Sequence, residues 1–195
     1  MKNKYLLAGV VALASVVLDQ LTKYLVVQHI RYQTEEIPVF DTSWLSFSLV
    51  HAQNRGAAFG VMHGQMTFFI AFTILAVGLL IYMLREVPSD DRFQTVAIGL
   101  ILSGAVGNLL DRLVKGSVTD FLRFYTEHPT LKAWLIQSPL GSNEWPSFNV
   151  ADTAIVVGLG MFAIHYLFLE KDQPSSSSEP PPEPLERPAD SPQKG

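Results

Sequence analysis

Four long apolar runs, interrupted by few charged residues, dominate the pattern along the chain. They cover residues 5–27, 66–84, 94–114 and 150–169, and each is close to the ~20 residues that a helix needs to cross a bilayer. The pattern predicts an all-α membrane protein with four transmembrane helices. We therefore expect residues 1–171 to form one four-span membrane domain.

The first run has a second interpretation, as a secretory signal peptide. Lys2 and Lys4 precede an apolar stretch that includes ALAS, which is typical of such leaders. However, Asp19 and Lys23 interrupt the run, it is long for the apolar region of a signal peptide, and three more runs follow. We favour a membrane span and keep the signal peptide as an alternative.

The connections between the runs differ in pattern. Within residues 28–65, SWLSFSLVH alternates serine with apolar residues, the period of a half-buried strand, so a small β-sheet is predicted after the first span. Residues 126–147 hold three prolines around LKAWLI and predict a loop with one short interfacial segment. Residues 172–195 are rich in Pro, Ser and Glu and predict a disordered tail, because they cannot bury enough apolar surface to offset their ordering entropy.

The topology of four spans places most of the charged residues that interrupt the apolar runs near one face of the membrane. An even number of spans places both termini on one side, so the connections after the first and third spans share the other side. Asp19, Asp111, Asp120, Asp152 and the segment NRGAAFG (54–60) all approach that second side. Lys and Arg do not decide the orientation, because seven fall on each side, although those nearest the spans mildly favour cytoplasmic termini.

Composition supports a membrane protein and excludes several chemistries. The chain is 48% hydrophobic and 16% charged, with a net charge of -4, and it has no basic footprint for nucleic acid. It contains no cysteine, which excludes disulfides, thiolate metal sites and a cysteine nucleophile. The sequence has no His-Glu-x-x-His zinc motif, G-x-S-x-G elbow, phosphate loop or dinucleotide fingerprint. We expect neither a metal nor a cofactor.

Two segments repeat the pattern Asn-x-x-Asp. They contain Asn108 with Asp111, in GNLLDR, and Asn149 with Asp152, in FNVAD. Positions three apart share a helix face, so each pair can present an amide and a carboxylate together. Structural roles stay open as well: Asn149 can cap the fourth span and Asp152 can meet the positive end of its dipole, while Asp111 can pair with Arg112.

Asp120 and Asp19 complete the set of candidate carboxylates. Asp120, in VTDFLRF, has apolar neighbours that would raise the pKa of its carboxyl, with a solvated loop aspartate as the alternative. Asp19 and Lys23 lie four positions apart in the first span and can form an intrahelical ion pair. Two close carboxylates can share a proton, so that one acts as a base on water and the other as an acid. Their clustering favours aspartic-protease chemistry.

Five segments together resemble the bacterial lipoprotein signal peptidases, also called signal peptidase II. They are DQLTKYLV (19–26), NRGAAFG (54–60), SGAVGNLLDR (103–112), VTDF (118–121) and FNVADTAI (148–155). They occur in the family's order and in its relation to four spans. The resemblance implies an intramembrane aspartic endopeptidase that removes signal peptides from prolipoproteins, using dyad-activated water to cleave before a cysteine that carries a diacylglyceryl group.

The resemblance also implies roles for single residues. The catalytic pair would be Asp120 and Asp152. The substrate-binding residues would be Asn54, Gly56, Asn108 and Asn149. The residues that support the architecture would be Asp19, Lys23, Asp111 and Arg112.

The setting follows from the same resemblance. It implies a multi-pass protein of the bacterial cytoplasmic (inner) membrane, with cytoplasmic termini and an active site near the periplasmic or outer face. The expected partners are lipidated prolipoproteins and membrane lipid, but no nucleic acid, and a monomer is expected.

Some features depart from the family pattern or leave other classes open. The segment between Asp120 and Asp152 looks longer than usual, Thr119 stands where an aliphatic residue is common, and the Pro/Ser tail is not a family feature. From the residues alone, a small proton- or cation-coupled transporter or a structural membrane scaffold remains an alternative. A dyad of Asp111 with Asp152 also remains open.

Overall fold

The computed structural model describes residues 2–56 and 66–169 of the chain. Its helices are α1 (Lys2–His29), α2 (Met66–Glu86), α3 (Arg92–Lys115), the short α4 (Pro129–Gln137) and α5 (Val150–Ile164), which continues into a π-helical turn (His165–Leu169). Its strands are β1 (Glu36–Asp41), β2 (Ser46–Asn54) and β3 (Val118–Tyr125). The predicted tail, 172–195, and residues 57–60 of NRGAAFG lie outside the described residues.

Four helices in the described part of the chain are long and apolar enough to cross a membrane. They are Lys4–His29, Met66–Glu86, Arg92–Lys115 and Val150–Phe168. These helices coincide with the four apolar runs, so the predicted fold class is confirmed. The first of them packs along α3.

The central helix, α3, begins and ends where its sequence provides caps. Asp91 precedes it and accepts a hydrogen bond from the backbone N–H of Gln94 at 2.9 Å, which satisfies a donor that the first turn leaves free. Gly116 follows it in the left-handed conformation, with φ of 72°, where a side chain would be strained. The helix therefore stops just before β3.

Small residues let α3 and α5 approach closely. A Cβ added at Gly158 of α5 would lie 2.6 Å from Ile101 Cγ1 and 2.8 Å from the carbonyl oxygen of Ala97. A Cβ added at Gly104 of α3 would lie still closer to the carbonyl oxygen of Ala151. Such contacts are the usual way in which membrane helices gain packing energy, because burial from lipid supplies little driving force.

The three strands form one antiparallel sheet in the order β1-β2-β3. The first two confirm the sheet predicted after the first span. The third strand was not predicted: Asp120 lies on β3 and not in a solvated loop. Residues 118–121 are buried in succession, because the ends of the membrane helices cover the face of the strand that would otherwise be exposed to water. The sequence therefore lacks the alternation of polar and apolar residues that marks a half-exposed strand.

A backbone bridge attaches the start of α5 to β3. The carbonyl oxygen of Phe148 accepts from the N–H groups of Phe121 at 2.9 Å and Leu122 at 2.8 Å, and the N–H of Phe148 donates to the carbonyl of Leu122 at 3.1 Å. The residue after Phe148 is Asn149, the N-cap of α5. The bridge therefore places the first turn of α5 beside Asp120.

The close packing of α5 gives a first prediction. Gly158→Ala should lower the melting temperature in detergent by the equivalent of about 1–3 kcal/mol, because the added methyl group overpacks the contact with Ile101 and Ala97. Gly160→Ala is the matched control on the same helix, since a Cβ there meets nothing within 4 Å. Equal melting temperatures for the two variants would contradict the packing described for this helix pair.

Candidate active site

Asp152 is fixed by the first turn of α5 and by an amide from α3. Its backbone N–H donates to Asn149 Oδ1 at 2.9 Å, and its Oδ2 accepts from the backbone N–H of Asn149 at 3.2 Å, which is a reciprocal capping box. Its Oδ1 accepts from Asn108 Nδ2 at 2.7 Å. The capping role and a role in the site are therefore compatible, because the carboxylate uses a different oxygen for each contact.

Asp120 lies on β3, nearly buried, with 4% of its surface exposed. Its Oδ1 accepts from Asn149 Nδ2 at 2.8 Å. Burial, followed by the negative charge of Asp152, raises the pKa of Asp120 from 3.8 to about 7, because both effects disfavour the ionised carboxylate. At neutral pH this group therefore holds a proton for much of the time, as the apolar neighbours in the sequence indicated.

The two carboxylates line a single cavity of about 780 Å³. Its polar lining also includes Asn54, Gly56 and Asn108. The other walls are largely apolar and include Val118, Trp145, Pro146, Phe148, Val156 and Val157. The last two valines lie on α5 with 68% and 48% of their surfaces exposed, so the cavity borders a helix face that would meet lipid.

Asn149, in contrast, lies behind the cavity. It is fully buried, and its Nδ2 contacts Asp120 Oδ1, Asn108 Oδ1 at 3.2 Å and the carbonyl oxygen of Thr119 at 3.3 Å. Its Oδ1 accepts the capping hydrogen bond from Asp152. In this geometry the Asn149 amide contacts the carboxylate pair from the protein side.

Arg112 lines the cavity and connects the polar side of the cavity to α2 through a contact with Phe69. The guanidinium donates to the carbonyl oxygens of Gly56 at 3.4 Å and Asn108 at 3.5 Å, and it lies 5.1 Å from the ring centre of Phe69. Asn54 Oδ1 accepts from the N–H of Gly56 at 2.9 Å. These contacts hold the end of β2 against the opening of the site.

A buried ion cluster lies directly beneath the site. Lys23 Nζ contacts Asp19 Oδ2 at 2.9 Å and Asp111 Oδ2 at 3.3 Å, and all three side chains are at most 1% exposed. Asp111 is also bonded by Lys115 at 2.9 Å and by the N–H of Thr119 at 3.0 Å. Asp111 thus pairs with two lysines, and the suggested pairing with Arg112 is wrong because neighbouring positions on a helix point in different directions.

Asp19 connects this cluster to α5. Its Oδ1 accepts from the N–H of Ala151 at 2.9 Å, one of the donors that the first turn of a helix leaves free. Gln20 supports the same carboxylate, donating to Asp19 Oδ2 at 3.0 Å and to the carbonyl of Gly107 at 3.2 Å. The intrahelical pair of Asp19 and Lys23, predicted from their spacing, is therefore one part of a contact between three helices.

Several residues at the site escaped the sequence analysis. Trp145, Pro146 and Phe148 form a wall of the cavity. Phe148 is the first residue of FNVADTAI, but no local pattern indicates that these three side chains lie at the site. Gln20 lies beside Asp19 in DQLTKYLV, and its polar side chain next to an aspartate was the available signal. Thr119 departs from the family pattern, but its backbone contact with Asp111 was not predicted. In residues 2–56 and 66–169, no group of three or more His, Cys, Asp or Glu side chains is arranged to hold a metal ion.

The fold and the site together are those of a membrane-embedded peptidase, with two carboxylates at one end of a four-helix bundle. The family model for signal peptidase (SPase) II matches residues 11–168, and the chain belongs to that family. Family membership sets aside the transporter and scaffold interpretations.

Individual relatives and structures agree with this assignment. The chain is 40% identical to a lipoprotein signal peptidase from Maridesulfovibrio salexigens, over 80% of this chain and 92% of the relative. It is 38% identical to one from Symbiobacterium thermophilum, over 85% and 97%. It is also similar to a solved structure described as a bacterial membrane enzyme, with a TM-score of 0.67 and 27% identity over 86% of this chain and 92% of that one.

The ion cluster gives a second prediction. Asp111→Asn should lower the free energy of unfolding by about 3 kcal/mol or more, because the fully buried ammonium of Lys23 loses one of its two carboxylate partners. A detergent melting curve measures the effect. Glu127→Gln is the control, because it breaks an exposed ion pair with Lys132 and should change stability by at most about 1 kcal/mol. Similar losses for both variants would contradict a structural role specific to Asp111.

Proposed function

We propose that this chain is an intramembrane aspartic endopeptidase that removes the signal peptides of prolipoproteins, cleaving before the cysteine that carries a diacylglyceryl group. The observation that carries the proposal is the placement of Asp120 and Asp152 in one cavity by two separate elements, β3 and α5. The relatives named lipoprotein signal peptidase support the substrate class.

The contacts of the two carboxylates suggest different protonation states. Asp152 accepts from donors on both of its oxygens, which favours the ionised form. The pKa of Asp120, raised to about 7, favours the protonated form. Asp152 is thus the better base and Asp120 the better acid, as in other carboxylate pairs that divide the two tasks.

The reaction then proceeds by general acid–base catalysis on water. Asp152 removes a proton from the water as its oxygen bonds to the scissile carbonyl carbon, while Asp120 donates its proton to the carbonyl oxygen. The C–N bond breaks when the leaving nitrogen receives the proton held by Asp152 and the tetrahedral hydroxyl returns a proton to Asp120. Both carboxyl groups regain their starting states.

The walls of the cavity suit a lipid-bearing peptide. The apolar residues around the carboxylates offer contacts to an acyl chain or an apolar signal peptide, while Asn54 and Gly56 at the rim offer backbone and amide groups to the peptide. Val156 and Val157 connect the cavity to the lipid-facing side of α5, so that the substrate can enter from the bilayer without leaving it.

The proposed setting is the bacterial inner membrane, with cytoplasmic termini and the carboxylates near the periplasmic or outer face. Asp19, Asp111, Asp120 and Asp152 lie at the end of the bundle opposite the α2–α3 connection, and the four spans put both termini on the side of that connection. The proposed working form is a monomer.

Substitution of each carboxylate tests the dyad. Asp120→Asn and Asp152→Asn should each lower cleavage of a lipidated precursor by more than about 10³-fold, because either change removes one partner in proton transfer. The control Asp91→Asn, at the other end of α3, should keep its capping hydrogen bond and its activity. The non-lipidated precursor, assayed in parallel, should be cleaved poorly by the unsubstituted protein.

Two results would count against this assignment. Near-normal turnover by either Asn variant would remove that residue from the dyad. If Asp120→Asn were active and Asp111→Asn were folded but inactive, the pair would be Asp111 with Asp152.

The raised pKa of Asp120 gives a prediction about pH. Activity should fall as pH rises through about 7, because the acid loses its proton. In the unfolded chain the pKa of Asp120 lies near its ordinary value of 3.8. Between about pH 4 and 7 the folded state therefore binds more protons than the unfolded state, and the free energy of unfolding declines as pH rises through that range.

Asp120→Asn removes that pH-dependent loss. Its melting temperature should therefore exceed that of the unsubstituted protein by more at about pH 8 than at about pH 5. A constant difference between the two melting curves across this range would contradict the assignment of a raised pKa to Asp120.

A further inference from the structure

Asn108 uses both ends of its side-chain amide. Its Nδ2 donates to Asp152 Oδ1 at 2.7 Å, while its Oδ1 accepts from Lys23 Nζ at 3.0 Å and from Asn149 Nδ2 at 3.2 Å. An amide that turns by about 180° exchanges its oxygen and nitrogen with little change in shape. The direction of the hydrogen bond to Asp152 therefore depends on what the far end of this amide contacts.

Lys23 is suited to decide that direction. An ammonium group donates hydrogen bonds and accepts none, so it can face only the oxygen of the amide. Lys23 is fully buried and held by Asp19 and Asp111, which prevents it from turning away. Its contact is charge-assisted and shorter than the second contact, from Asn149, and such bonds are about twice as strong as neutral ones.

We propose that Lys23 is a positioning residue for the reaction: its ammonium fixes the carbonyl oxygen of Asn108, so that the amide nitrogen of Asn108 always donates to Asp152. This proposal rests on the proposed function, because it gives Lys23 a role in the same site. Lys23 does not line the cavity and acts on the base through Asn108. Its charge also polarises the amide and strengthens the donor at the other end.

The charged groups around this contact come from every element that packs there. They are Asp19 on α1, Asp111, Arg112 and Lys115 on α3, Asp120 on β3 and Asp152 on α5. Arg112 reaches the backbone carbonyl of Asn108 and not its amide. Lys115 bonds the other oxygen of Asp111, with 37% of its side chain exposed. The side-chain oxygen of Asn108 therefore receives its charged contact from Lys23.

Lys115 provides a matched control because it shares Asp111 with Lys23 but does not contact Asn108. If Lys23 served only to neutralise Asp111, Lys115→Met and Lys23→Met would have the same kind of effect. If Lys23 orients Asn108, only Lys23→Met changes the hydrogen bond to Asp152. A further variant, Asp19→Asn/Lys23→Met, removes one charge of each sign, so the net charge near the site stays constant while the ammonium contact is lost.

The experiment measures cleavage of a lipidated precursor as a function of pH for these variants. Loss of a hydrogen bond to a charged group costs about 1.5–3 kcal/mol, equivalent to about one to two pH units. We expect Lys23→Met and Asp19→Asn/Lys23→Met to move the acidic limb of the profile to higher pH by about one unit or more. At the acidic end kcat should fall about tenfold or more with KM nearly unchanged.

Lys115→Met should melt at a lower temperature but keep the pH profile of the unsubstituted protein. The proposal is overturned if Lys23→Met keeps that profile, if Lys115→Met shows the same shift, or if the shift disappears in the charge-balanced double variant. If Lys23→Met does not accumulate as folded protein, the pH profile of Asp19→Asn/Lys23→Met is compared with that of the unsubstituted protein instead. Failure of the proposed function differs from all of these, because Asp120→Asn or Asp152→Asn would then remain active.

Discussion

The buried ammonium of Lys23 is the contact on which the geometry of the site depends. It joins Asp19 of α1 to Asp111 of α3, and Asp19 in turn bonds the first turn of α5. Charges buried in this way cost several kcal/mol unless each is paired and hydrogen-bonded. The cluster therefore has one satisfied arrangement, and a slip of α1 by a turn would leave carboxylates without partners. Its contribution is to the register of the helices more than to net stability.

The two Asn-x-x-Asp segments show how position in a helix decides what the same residues do. In α5 the pair stands at the start, where free N–H groups are available, and Asn149 and Asp152 form a capping box. In α3 the pair stands near the end, where the N–H groups are already used within the helix. Asn108 therefore bonds the carboxylate of Asp152 on α5. Asp111 bonds Lys23 of α1, Lys115 of its own helix and the backbone of β3.

The elements that the sequence predicted are those with a local cause. The four spans follow from continuous apolar runs, and the capping role of Asn149 follows from an amide just before such a run. β3 was missed because burial on both faces removes its alternation. The cavity wall at Trp145 and Phe148 was missed because a backbone bridge to β3 sets its position. Asp111 pairs with Lys115, one helical turn away, and not with its neighbour Arg112, because residues four apart share a helix face.

The apolar walls of the cavity act on the two carboxylates in opposite ways. Poor solvation disfavours ionisation of both groups, and the charge of one opposes ionisation of the other. Without further donors, both would tend to hold protons and neither would be a base for water. The side-chain amide of Asn108 and the backbone N–H of Asn149 break this symmetry, because they give Asp152 a donor on each oxygen. Asp120 accepts from the Asn149 side chain on one oxygen, but its burial outweighs that contact. Hydrogen-bond donors can thus favour ionisation of one carboxylate over the other within an apolar cavity.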